Sequence, residues 1–118
     1  VSASRFDVHD AEIVALENHR EAKELSLGLR MVGGARALLV FSGVESVSLG
    51  PFYDQNVLLA LYEWTAAHSG ARARCQEFEL SVESTRAVLE GQVKFYELDP
   101  SVGLGGYILA RDAVMTML

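Results

Sequence analysis

The chain has 118 residues, half of them apolar, a formal charge of −6 and one cysteine, Cys75. That length and apolar content suit a single domain, 1–118, with a core of its own, and a lone thiol excludes an internal disulfide or a multi-thiolate metal site within the chain. The acidic excess is even, with 5 basic and 8 acidic side chains in residues 1–59 and the same numbers in residues 60–118, so neither nucleic acid nor an anionic membrane is expected as a partner.

In chain order, Val1-Ser2-Ala3-Ser4-Arg5 has no apolar leader pattern, which together with the single cysteine points to a cytoplasmic location. Residues 12–18 lead into the polar stretch His19-Arg20-Glu21. Lys23 to Met31 then alternates cleanly, with Leu25, Leu27, Leu29 and Met31 on one side and Glu24, Ser26, Gly28 and Arg30 on the other. A period of two over this length predicts a strand with one face on a core. Gly33-Gly34 supplies the positive-φ freedom of a tight turn, and Arg36 to Ser42 makes the second arm of a hairpin. Ser46 to Leu49, before Gly50-Pro51, predicts a third short strand in meander order.

The longest apolar runs, Ala37–Phe41 and Val57–Tyr62, fall far short of the roughly 20 residues of a membrane-spanning helix. The segment after Pro51 reads two ways. Asp54 could cap a helix from Gln55 to His68 that stops at Gly70, or Val57 to Trp64 could be a core strand. Residues 69–74 look like an exposed connection, with Arg72 and Arg74 as its solvated charges. Phe78, Leu80 and Val82 alternate with Glu77, Glu79, Ser81 and Glu83 as in a half-buried strand, and Ser84 to Glu90 suggests one or two helical turns ended by Gly91. Val93 to Leu98 alternates before a turn at Asp99-Pro100-Ser101. Tyr107 to Met117 forms a final strand or strand-like tail. Its apolar end should be buried in its own sheet or against a second subunit, which makes a homo-oligomer an expected partner arrangement. The fold class is mainly β, an antiparallel curled sheet or small sandwich with at most one or two short helices.

Four motifs in this order, His9-Asp10-Ala11-Glu12-Ile13, Phe41-Ser42-Gly43-Val44, Pro51-Phe52-Tyr53-Asp54-Gln55-Asn56-Val57 and Asp99-Pro100-Ser101, give the chain a resemblance. It resembles small bacterial β-rich proteins, some of them similar to immunity proteins of polymorphic-toxin systems. The resemblance implies that Gln55-Asn56-Val57 opens a strand, and that the protein works without catalysis by binding and blocking a partner protein. An acidic surface would suit a basic toxin, although it also serves ordinary solubility. Residues 66–91 lie outside the resemblance.

Several polar groups stand out as candidate binding residues: His9, Asp10, Asp54, Gln55, Asn56 and Asp99. An imidazole beside a carboxylate suits a divalent metal, but His9-Asp10 has no further His and Asp ligands on helices, and a turn cap explains the pair better. Asp54-Gln55-Asn56 must satisfy its donors and acceptors either by anchoring the preceding loop or by facing a ligand, and loop anchoring is the favoured role. The glycines of residues 101–106 lack the Lys and Ser or Thr of a phosphate loop. No catalytic residue, metal site or cofactor is assigned. The leading expectation is a non-enzymatic interaction domain. Its rival is a small-molecule or metal-binding domain, or a minor hydrolase, with a pocket near His9, Asp10, Asp54 and Asn56; it requires those side chains to converge on one concavity.

Overall fold

The computed structural model describes residues 3–4 and 6–118. Their order is β1 (Ala3–Ser4), β2 (Glu12–His19), β3 (Glu24–Arg30), β4 (Arg36–Ser42), β5 (Ser46–Gly50), β6 (Val57–Trp64), α1 (Ala71–Glu77), α2 (Val82–Leu89), β7 (Lys94–Val102), β8 (Gly105–Ala110) and β9 (Asp112–Met117). The strands pair antiparallel in the order β5-β8-β7-β6-β2-β3-β4-β9, with β1 added to β6. The chain is mainly β, as its alternating segments predict, and 13% of it is helical.

The β3–β4 hairpin forms where the period-two pattern puts it. Leu25, Leu27 and Leu29 pair with Phe41, Leu39 and Ala37, and all six are buried on one face. Gly33 and Gly34 have φ of 93° and 97°, the left-handed region that only glycine enters without strain. The ambiguous segment is a strand: β6 pairs with β7 along most of its length. Seven of its eight residues are apolar and they fall on both faces, a pattern that suits a strand better than an amphipathic helix.

The ladder path does not close, but the chain curls it. β4 runs into β5 through Gly43, and β8 runs into β9 through Arg111. At this corner Arg111 N donates to Ser42 O at 2.9 Å and Glu45 N donates to Leu109 O at 2.8 Å. Two half-sheets result, β2-β3-β4-β9 and β6-β7-β8-β5, facing each other across a core. Phe41 of the first meets Tyr96 of the second edge-on, with ring centroids 5.2 Å apart. Burying side chains such as Phe41, Leu39, Leu61 and Ile108 contributes about 2 kcal/mol each. The expected meander is therefore corrected: β5 pairs with β8, not with its sequence neighbour, because the bend at Gly43 carries it into the other half-sheet.

Residues 69–89 depart most from the sequence expectation. The connection expected at 69–74 is the start of α1, and the strand expected at 77–83 is the end of α1 and the start of α2. Glu79 has φ of 55° and breaks the chain between the helices. Ser81, not Ser84, caps α2, its hydroxyl accepting from Ser84 N at 3.0 Å. Val82, expected in the core, is exposed. Phe78 and Leu80 are partly buried against Phe95, Trp64 and Leu109, so alternate residues were apolar because a helix end packs them on the outer face of β6, β7 and β8. The expected turn at Asp99-Pro100-Ser101 is also strand. β7 continues to Val102, and two register shifts against β6 accommodate Pro100, which has no N–H to give a ladder.

Candidate functional site

Asn56 is buried, and its side chain bonds to backbone. Its Oδ1 accepts from Tyr53 N and Leu104 N, each at 3.0 Å, and its Nδ2 donates to Tyr53 O at 2.8 Å. The amide thus ties the loop before β6 to the loop between β7 and β8. Its neighbours Asp54 and Gln55 are exposed. His9 and Asp10 form the outer corner of a turn in which Ala11 N donates to Val8 O, and Asp10 takes the φ of 62° that such a corner needs. His9 Nδ1 lies 3.0 Å from Leu59 O, and His9 Nε2 lies 3.5 Å from the Asp10 carboxylate, both side chains well exposed. Asp99 pairs with Ala60 inside the β6–β7 ladder. His9 lines one depression with Val8 and Leu59, and Asp99 lines another with Pro100 and Gly103. The structure does not bring the six residues into one concavity. Among the described residues, no group of three or more His, Cys, Asp or Glu side chains is arranged to hold a metal.

The densest polar constellation was not visible in the sequence. Glu97 on β7 is almost fully buried, and Arg74 on α1 grips it in two places, Nε to Oε1 at 2.8 Å and Nη2 to Oε2 at 3.0 Å. Trp64 Nε1 adds a third hydrogen bond to Oε1 at 3.1 Å. The guanidinium lies over the Trp64 ring at 5.6 Å and also reaches Glu77 at 2.7 Å. The hydrogen bond that Arg74 donates to Glu97 raises the Arg74 pKa, favouring the charged guanidinium. A bidentate pair, with Trp64 and Glu77 as further partners, holds α1 to the sheet. Arg74 is thus no loop decoration. A partner 23 residues away in sequence leaves no local signal.

A groove of about 770 Å³ lies elsewhere, between β2 and β5. It exists because the two half-sheets part there. β6 pairs with β2 only at Glu12, so from Val14 to His19 the far edge of β2 has no strand among the described residues, and β5 has only β8. Leu16 and Leu25 line one side, Val47 and Leu49 the other, and Phe52 and Leu104 close the ends. Leu16, Val47 and Phe52 are 39%, 38% and 56% exposed, an apolar opening into the core.

The edge also presents backbone groups. Met31 N donates to Ala35 O, which by antiparallel alternation turns residues 25, 27 and 29 toward β4 and residues 24, 26 and 28 toward β2. Their opposite numbers His19, Glu17 and Ala15 therefore use their amides and carbonyls on β3. Leu16 and Asn18 turn theirs to the groove. No basic residue lines it, while exposed Glu17, Glu45 and Asp54 stand on the strands and loop that frame it. No family model, curated protein or solved structure matches this chain.

Proposed function

We propose that this domain is a non-enzymatic protein-binding module that takes an extended segment of a partner protein along the open edge of β2. What carries this reading is the coincidence in one groove of outward backbone groups at Leu16 and Asn18 with exposed apolar side chains on both walls. A strand added there gains main-chain hydrogen bonds from the edge and seats alternate side chains on Leu16, Val47 and Leu49. The acidic frame favours a segment with basic residues flanking its apolar ones. Occlusion of a basic partner in this way is the action of an immunity-like protein, in keeping with the resemblance of the sequence motifs. The rival pocket at His9, Asp10, Asp54 and Asn56 gains no support from the geometry, since Asn56 is engaged with backbone, Asp54 is exposed, and the depression beside His9 is lined by neither of them.

The test uses a synthetic peptide, Lys-Val-Ser-Val-Ser-Val-Lys, titrated into isotopically labelled protein. Amide resonances of Leu16, Asn18, Val47 and Leu49 are expected to move together. A peptide with Glu at both ends should bind at least about tenfold more weakly, and Leu16→Asp should abolish the shifts. No localised shift at millimolar peptide would overturn the reading. So would a short fatty acid that moves the core resonances of the groove while the peptide moves none, which would indicate a small-molecule site.

A further inference from the structure

Beyond the two-residue β1, open strand edges occur among the described residues on β2, β5 and β9. Natural sheets guard such edges with charges, prolines, bulges or brevity, because an unguarded edge is a template for another chain. β2 has a bulge between Ile13 and Ala15 and carries Glu17 and His19. β5 has five residues and runs into Pro51. β9 has none of these devices beyond Asp112 at its start. Its ladder with β4 is regular through six residue pairs, no charged side chain or proline occurs from Ala113 to Leu118, and Val114, Met117 and Leu118 are exposed.

The directions of its free backbone groups can be read from its ladder. Leu118 N donates to Arg36 O at 2.9 Å. By antiparallel alternation, residues 114, 116 and 118 turn their amides and carbonyls to β4. Ala113, Met115 and Met117 turn theirs to the open edge. We propose that this edge pairs with β9 of a second copy, antiparallel, about a two-fold axis at Met115.

Such an axis places Met115 opposite Met115, Ala113 opposite Met117 and Met117 opposite Ala113, so all three outward residues on each strand find a partner. A register shifted by two residues pairs only two. The side chains agree with the three-pair register. On the core face the long Met117 falls beside the small Ala113. On the outer face Val114 falls opposite Thr116, and half-buried Leu38 and Val40 of β4 extend the strip on either side. The helices do not cover this face, since they pack on β6, β7 and β8. At each end Asp112 of one copy comes beside Leu118 of the other, whose neighbour on β4 is Arg36, so unlike charges approach. One patch that is its own complement is the signature of a two-fold dimer. The contact is narrow and suits a weak, reversible association. It does not depend on the groove, which uses β2 and β5.

Sedimentation equilibrium across micromolar to millimolar concentrations is expected to show the 12.9 kDa chain passing to twice that mass. Met115→Pro trims a side chain packed partly against the core, but the one N–H it removes faces the open edge, so the β4 ladder stays intact and a folded monomer is expected. Val114→Lys sets two cations near the axis and should weaken association at least about tenfold. Should the proline variant not fold, the lysine variant decides. A single 12.9 kDa species at every concentration, or a dimer unchanged in the folded variants, would refute the proposal.

Discussion

Glu97 sits where a carboxylate is costly, with its side chain 7% exposed, and it is kept there by Arg74 and Trp64. Removing one partner of a buried pair leaves the other charge unanswered, so Arg74→Ala is expected to lower stability by about 3 kcal/mol in urea denaturation. Glu77→Ala, which removes only the exposed arm of the same guanidinium, should cost less than about 1 kcal/mol. Asn56→Ala strips Tyr53 N, Tyr53 O and Leu104 N of their side-chain partner, and a loss of about 2–3 kcal/mol should appear in the same measurement. Cys75 is fully buried, and burial pushes its thiol above the ordinary range. It should therefore react with a disulfide reagent at neutral pH only as fast as the protein opens, which a comparison of native and urea-unfolded protein will show. Asn56 was legible from the sequence as a polar residue at the mouth of an apolar run. Glu97 was not, because in a strand of alternating residues it resembles any solvent-facing glutamate until α1 is laid over it.

The clearest strands were legible because one of their faces meets a core and the other meets water or small residues. β3 and β4 follow this rule, and Leu25 to Met31 could be assigned by periodicity alone. The rule misled at Phe78, Leu80 and Val82, where a helix end, a break at Glu79 and a new cap at Ser81 produced the same spacing by accident. Ala71, Cys75 and Phe78 carry the helical spacing that would have corrected it. Turns also divide into two kinds. Gly33 has a positive φ with open space around its Cα, whereas Gly103, with φ of 80°, would drive a Cβ into Asn56 Oδ1 and to 2.7 Å from Gln55 O. Gly33→Ala is thus expected to cost about 1 kcal/mol, and Gly103→Ala clearly more, because it adds a clash with a buried anchor to the backbone strain. Thermal unfolding of the two variants will compare them.

For the molecule as a whole, the sequence revealed the class of fold and not its path. Which strands pair is decided by the bends at Gly43 and Arg111, and no local pattern distinguishes a bend between half-sheets from a hairpin turn. The groove was invisible for the same reason, since its walls lie on segments that are distant in the chain. The charge of −6 was legible, and it bears on binding: association of a basic-flanked segment should slow as salt rises from about 50 to 500 mM, with dissociation changing little, as stopped-flow mixing will show.

The corner where residues 42–46 meet 109–112 has a further effect on how the chain reaches its native state. Arg36–Gly50 and Gly105–Met117 each belong to both halves of the molecule, so neither half can be completed without the last stretch of the sequence. A nascent polypeptide that has not yet delivered residue 112 leaves Leu38 and Val40 without their neighbour, and its collapse must wait for contacts spanning most of its length, a topology that favours slow, all-or-none folding.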